Sequence, residues 1–446
     1  MTSAKKRILG WYFFDWASQP YNTLLITFIF APYIKDLLGD GSRAQAVWGY
    51  GVGLAGLFIA LLAPLLGVIA DKAGGRMRFI VLFSVLYVAG SWGLWYAAPD
   101  DFNLFVVMFS FALGLVGMEF ATIFTNAMLP SLGDEKEIGK ISGSGWAFGY
   151  VGGLIALIIM LLLLAESKTT GKTLLGISPL LGLDAAAREG TRAVGPLTAL
   201  WYAVFMIPFF LWVKEPPRKP AMGVWAAVKT AIPDLKHSLR GLPKQRSLFA
   251  YLGSSMFYRD ALNGMYVFGG IYAAGVLNWQ VTQVGVFGIL ASVTGALFAW
   301  LGGKADSRFG PKPVITACVL VLTLVAIGVI MVSRNSVFGI PVEATSKLPD
   351  IAFYCLGAVI GAAGGALQAA SRTMLVRQSD PARITEAFGL YALAGKATSF
   401  VAPLTIGLVT DITGSQQLGI SPLILLFLIG LLLLLWVKPQ GDRSVG

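Results

Sequence analysis

Twelve times between residues 9 and 437 the chain runs into an apolar stretch of about twenty residues, long enough to cross the ~30 Å core of a bilayer as a helix. The stretches fall near 9–34, 46–70, 79–98, 103–128, 142–165, 196–213, 248–276, 282–303, 313–333, 351–376, 385–410 and 420–437. In lipid, backbone polar groups must pair within their own segment or close a barrel. Nothing here alternates as barrel strands do, so the reading is an all-α membrane protein of twelve spans. Only 13% of residues are charged, where a water-facing surface usually needs about a quarter.

The charges lie in short loops. With the N-terminus in the cytoplasm, 23 of the 34 Lys and Arg fall on the cytoplasmic side, eight fall outside and three (Arg259, Arg372 and Lys396) lie within spans. Both termini are then cytoplasmic, and the basic stretch from Lys214 to Arg246 becomes a solvated linker. The expected domains are 1–213, a six-helix bundle; 214–247, the linker; and 248–446, a second six-helix bundle. The net charge of +11 is spread over these loops, which argues against nucleic-acid binding. Cys318 and Cys355 each sit in an apolar run and read as packing residues. A single histidine, His237, excludes a His-rich metal site, and no cofactor is expected. Lys5, Lys6 and Arg7 lead into a run too long for a cleaved signal, with no small-residue cleavage site. The outer segment 166–195 is assigned no chemistry. Trp11, Trp16, Trp95 and Trp279, near span ends, are expected to anchor at the interfaces.

The chain repeats itself. Gly67, Asp71 and Gly75 after span two match Gly302, Asp306 and Gly310 after span eight at one constant offset. Met128-Leu129 likewise matches Met374-Leu375, Gly143 matches Gly389, and Asp15 corresponds more loosely to Asp260. The chain is therefore six spans plus six, as transporter halves often are.

The loop pattern resembles the major facilitator superfamily signature Gly-x-x-x-Asp-x-x-Gly-[Arg/Lys]-x-[Arg/Lys]. In the first copy its second glycine falls on Gly75, one position late, or on Gly74 with Arg76 and Arg78 in step. The run GWYFFDWASQPYN at residues 10–22 is similar to the first span of the autophagy-linked vacuolar amino-acid effluxer branch and its bacterial relatives. So are QAASR at 368–372, FGLYALAGK at 388–396, NAMLP at 126–130 and GYVGG at 149–153. The likeness covers nearly the whole chain. It implies the major facilitator fold, secondary transport, and Asp71, Arg76, Arg78, Asp306 and Arg372 as gate residues. One departure is span seven, where the family's Tyr-x-Asp-Gly reads Tyr258-Arg259-Asp260-Ala261. Arg259 then marks a substrate particular to this chain.

Ionisable side chains at membrane depth cost at least about 2.5–3.5 kcal/mol each, so they face a cavity and pair. They are Asp15, Glu119, Arg259, Asp260, Arg372 and Lys396, in spans one, four, seven, ten and eleven. Spans three, six, nine and twelve carry none. In the superfamily fold the first, fourth, seventh and tenth spans line the cavity, which agrees with this placement. Asp15, Gln19 and Asn22 share one helical stripe, Glu119, Thr122 and Asn126 another, and Arg259, Asn263 and Tyr266 a third.

The reading that follows is alternating-access transport of a small anionic or zwitterionic organic solute, such as an amino acid or carboxylate. Arg259, Lys396, Asn263, Gln19, Asn22 and Tyr391 are the expected binding residues. Asp15, Glu119 and Asp260 are the proton-coupling candidates. Pairing Arg259 and Lys396 with these acids would balance the empty site. Bland readings stand beside these: Glu119 with Lys396 as a structural pair, Asp15 bonded to backbone at a broken helix, and Arg372 snorkelling to the interface. Alternative functions are transport of an amphiphile or lipid-linked precursor, and a non-transporting receptor or assembly factor on the same fold. No enzyme site is visible. The expected setting is a bacterial inner membrane, with the chain working as a monomer on a small-molecule substrate.

Overall fold

A computed structural model describes residues 3–39, 41–99, 101–215, 222–279 and 281–443. Residues 216–221 of the basic linker and residues 1–2 and 444–446 at the termini lie outside these. Among the described residues all twelve spans are helical. Ten of the helices are apolar and long enough to cross a membrane. The two that fall short are spans one and seven, which carry Asp15 and the Arg259-Asp260 pair. Polarity is thus concentrated in the two spans that the sequence repeat pairs, through Asp15 and Asp260.

Both polar stripes meet a helix break, and a proline stands at each. Span one runs as an α-helix over Ser3–Pro20, widens to a π-helix over Tyr21–Phe28, and continues as Phe30–Leu38. Pro20 has no N–H to give to Trp16 O four residues back. The Trp201 indole fills the vacancy, donating to Trp16 O at 3.1 Å. Beyond Pro20 the α spacing no longer holds, so Asn22 leaves the expected stripe of Asp15 and Gln19: Ile29 N reaches Leu24 O and Thr27 Oγ1 reaches Asn22 O, both five residues back. Span eleven is split into Ile384–Ala397 and Val401–Thr413. Pro403 cannot donate to Ser399 O, and its ring crowds that carbonyl.

By contact the chain divides into two compact units. The first is Met1–Ala63, Lys72–Met128 and Phe148–Ala221; the second is Pro64–Asp71, Leu129–Ala147 and Met222–Gly446. In the first unit, span three (Arg76–Gly93) lies against span four (Leu104–Asn126), with Phe83 on Phe120 at 4.7 Å and Phe79 on Phe124 at 4.8 Å. The Tyr87 and Tyr202 rings stack at 3.9 Å. Trp11 is 1% exposed and donates its indole N–H to Thr125 O at 3.0 Å. Its expected role as an interfacial anchor is therefore wrong: the ring is packed inside the bundle because its N–H has a carbonyl partner there.

The loop at 166–193 is more structured than its sequence suggests. Glu166 is buried and receives Arg188 Nε at 2.8 Å, Thr191 Oγ1 at 2.6 Å and Thr191 N at 3.1 Å. In the second unit, span eight (Val281–Phe309) packs on span ten (Leu348–Gln378). A small antiparallel sheet (Val332–Ser333, Ser336–Val337, Ile340–Pro341) fills the loop after span nine. Trp279 is buried there with its N–H on Asp350 Oδ1 at 2.6 Å, while Arg334 holds both oxygens of the same carboxylate. Trp279 too is a packed residue and not an interfacial anchor.

Candidate functional site

Arg259 is the best-defined candidate. Its guanidinium lies 4.0 Å from the centre of the Tyr391 ring, and Nη1 donates to Tyr391 O at 3.0 Å. The approach is close because span eleven offers Gly395 there: a Cβ at that position would fall 2.7 Å from Nη1. The structure thus brings Arg259 onto the stretch that ends in Lys396, which is half-buried. Tyr391 is backed by Tyr251, the rings stacked at 6.2 Å and 7°. Tyr251 donates to Ser371 O at 2.5 Å, and Tyr258 pairs with Ser371 Oγ at 2.8 Å. The aromatic platform under the cation is therefore pinned to span ten, one residue before Arg372.

The expected acid partner for Arg259 is not found. Among the described residues its guanidinium meets no carboxylate. The neighbouring Asp260 is 3% exposed and accepts a hydrogen bond from Ala402 N at 3.0 Å. Adjacent helix positions point apart, so Asp260 is committed to the first turn of Val401–Thr413 while Arg259 faces Tyr391. Asn263 and Tyr266 lie on the exposed side of span seven, one turn and two turns further on.

In the first unit Asp15 and Gln19 lie where span five (Ile138–Ile159) comes close. A Cβ on Gly149 would sit 3.2 Å from Asp15 Cβ, and one on Gly153 would sit 2.8 Å from Gln19 Cγ. The GYVGG run is a set of small residues that admits the polar stripe of span one. Glu119 is half-buried on span four, and Thr122 is turned back to Met118 O at 2.8 Å. A groove of about 700 Å3 between spans three and six, with Val81, Val85, Trp92 and Phe210 in its lining, is lined by none of these residues.

The repeated loops act at helix starts. Asp71 accepts from Thr385 N at 3.3 Å and Glu386 N at 2.9 Å, the first turn of span eleven. Gly67 makes this contact possible, since a Cβ there would meet Glu386 Cα at 2.6 Å. In the second copy Asp306 is buried and accepts from the Thr373 hydroxyl, while Ser307 Oγ accepts from Lys140 N at 2.8 Å in the first turn of span five. Gly310 has φ +88, which leaves room only for glycine before Pro311. Gly74 and Gly75 both have positive φ, so the first copy spends two glycines on the same turn. Arg76 and Arg78 follow, and Glu215 of the linker caps that helix by accepting from Arg76 N at 3.1 Å and Met77 N at 3.3 Å.

Arg372 does not snorkel. It is 4% exposed and gives Nε to Ser142 Oγ at 2.9 Å and Nη2 to Ser142 O at 2.7 Å, beside the Trp146 ring. Ser142, Ser307 and Glu215 carry these contacts and were not found from the sequence. Each is a common polar residue whose partner lies more than a hundred residues away. Among the described residues no cluster of His, Cys, Asp and Glu could hold a metal ion.

Residues 37–444 match the family described as vacuole effluxer Atg22 like. The "uncharacterized MFS-type transporter YxiO" of Bacillus subtilis is 24% identical over 98% of this chain and 96% of its own length. Autophagy-related protein 22-1 of Aspergillus niger is 22% identical over 70% of this chain, which spans only 51% of that fungal protein. Among solved structures, FucP in its outward conformation superposes with a TM-score of 0.71 at 15% identity, covering 98% of this chain and all of that one.

Proposed function

The chain belongs to the Atg22-like effluxer family, a branch of the major facilitator superfamily of membrane transporters, and from that premise we propose that it moves a small anionic or zwitterionic organic solute by proton-coupled alternating access. One observation carries the substrate class: a half-buried guanidinium held over a tyrosine ring, with no carboxylate beside it among the described residues. Desolvating a cation without a counter-charge is costly, so the site is stabilised by an incoming carboxylate. Arginine presents a planar fork that suits this, and its Nη1 bond to Tyr391 O holds it in place. Lys396, at the end of the same helical piece, adds a second positive charge. Asn263, one turn on from Arg259, would supply a hydrogen bond to the rest of the solute.

Asp15 and Glu119 are the proton carriers in this reading, with Asp260, which accepts from Ala402 N, as the third candidate. Asp71, Arg76, Arg78, Asp306 and Arg372 would act as the gate on the side that the Lys and Arg distribution assigns to the cytoplasm. The membrane is then a bacterial inner membrane, both termini face the cytoplasm and one chain suffices.

A thermal-shift screen of the purified protein against amino acids and small carboxylates identifies a ligand by mass action. Binding of that ligand to Arg259→Lys is expected to be clearly weaker than wild type, and Arg259→Ala weaker still, by about 2–5 kcal/mol. Wild-type affinity in both variants would remove Arg259 from the site. Uphill accumulation that survives neutralising Asp15 and Glu119 together places the coupling elsewhere.

A further inference from the structure

The basic linker contains an eighteen-residue helix, Val224–Gly241, that carries Lys229, Asp234, Lys236 and Arg240 and is not among the ten helices apolar enough to cross a membrane. Its side chains divide into four stripes at about 100° per residue. Ala227, Ala231 and Ser238 are buried and form the face turned to the protein. That face is fastened at one end: Arg383, which pairs with Glu386 at 2.6 Å, donates to Ser238 Oγ. A quarter turn away stand Trp225, Val228, Ile232 and Leu239, with Trp225 81% and Ile232 60% exposed. Flanking this apolar stripe on the side away from the protein are Lys229, Lys236 and Arg240, all exposed. Opposite the apolar stripe lie Thr230, Asp234 and His237.

A helix surrounded by water has no reason to bare a tryptophan and three aliphatic side chains in register. Large apolar area, a row of cations at its margin and a polar back are the marks of a helix lying in a membrane interface. Its tether fixes where it lies. Only residues 242–245 separate it from span seven (Arg246–Val276), and four residues reach at most about 14 Å.

We propose that Val224–Gly241 is a membrane-surface anchor. The Trp225–Leu239 stripe is seated at the acyl boundary, and Lys229, Lys236 and Arg240 engage anionic phospholipid headgroups. The cations choose the lipid: each is worth about a fivefold gain in partition onto an anionic surface. A solvated linker would tie the halves together loosely. An interfacial helix instead holds the start of span seven at a fixed depth.

The test uses the full chain, with Cys318 and Cys355 replaced by alanine and single cysteines introduced as Trp225→Cys, Ile232→Cys or His237→Cys. Each is spin-labelled and reconstituted in phosphatidylcholine vesicles with and without 30% phosphatidylglycerol (about a third anionic, within the range where surface potential acts). Labels at 225 and 232 are expected to be accessible to oxygen and shielded from a water-soluble nickel chelate, and the label at 237 the reverse. The shielding should deepen with phosphatidylglycerol. The triple reversal Lys229→Glu, Lys236→Glu, Arg240→Glu should remove that gain, a change of at least about tenfold in partition. Nickel access at 225 and 232 in both vesicles overturns the proposal in favour of a solvated linker. Immobile labels shielded from both reagents overturn it in favour of a protein partner or a second copy. Anionic lipid that makes no difference, or a triple reversal that changes nothing, overturns the role given to the cations.

Discussion

The loops at 67–78 and 302–312 repeat one pattern but spend their aspartates differently. Asp71 gives its two oxygens to two backbone N–H groups at the start of span eleven. Asp306 gives one oxygen to the Thr373 hydroxyl, and its Oδ1 is buried without a hydrogen bond among the described residues. The helix start that Asp306 would match, that of span five, is served instead by Ser307 through Lys140 N. A carboxylate against exposed N–H groups is favoured by the helix dipole. A carboxylate oxygen buried without a donor is a cost. The two copies therefore conserve a shape, a close crossing beside a helix start, while dividing the hydrogen bonding unequally.

That inequality can be broken or sharpened by substitution, and the shared shape should be the most sensitive part. Gly143 and Gly303 face each other where spans five and eight cross, and a Cβ on Gly303 would lie 2.8 Å from Gly143 Cα. Gly143→Leu must push two backbones apart, so a loss of about 3 kcal/mol or more is expected, seen as a lowered midpoint of thermal unfolding in micelles. A wild-type midpoint would mean that the crossing is not tight.

Asp71→Ala should come next, costing about 1–2 kcal/mol for the lost cap. Ser307→Ala should cost about 1 kcal/mol, since a neutral hydroxyl supplies a single bond. Asp306→Asn is expected to fall within about 0.5 kcal/mol of wild type, or to stabilise slightly, because the amide still accepts from Thr373 and leaves no buried charge. If Asp306→Asn proves more damaging than Asp71→Ala, the two aspartates have been assigned the wrong way round.

Much of this architecture was legible beforehand. Length and apolarity give the spans, while the offset between Asp71 and Asp306 and the scarcity of charge in spans supply only expectations: two halves, and Asp15, Glu119, Arg259 and Lys396 as site residues. What the sequence could not supply was the partner of each group. Helical periodicity says which face a residue occupies, not which carbonyl three spans later will meet it. Arg259 was expected against an acid and lies on Tyr391, because the approach depends on Gly395. Trp11 and Trp279 sit near span ends as interfacial tryptophans do, yet each is buried and has an acceptor distant in sequence that no local pattern reveals. Glu166 and Arg188 looked like two charges in a loop. Their closure with Thr191 depends on Arg188 adopting φ +53, a backbone state that nothing in its neighbourhood announces.

The interruption of span eleven has a mechanical meaning. Its two pieces are gripped by consecutive residues of span seven: Arg259 holds the piece that contains Tyr391, and Asp260 holds the piece that begins at Val401. Span seven is thus a lever with two hooks set about 100° apart, and a twist of its axis pulls the two rods in different directions. An anion that draws Arg259 off Tyr391 would release one rod and leave the other tied. Occupancy of the site would then be felt as a change of angle at Thr398–Phe400, a hinge that already lacks the hydrogen bond a straight helix would have to break.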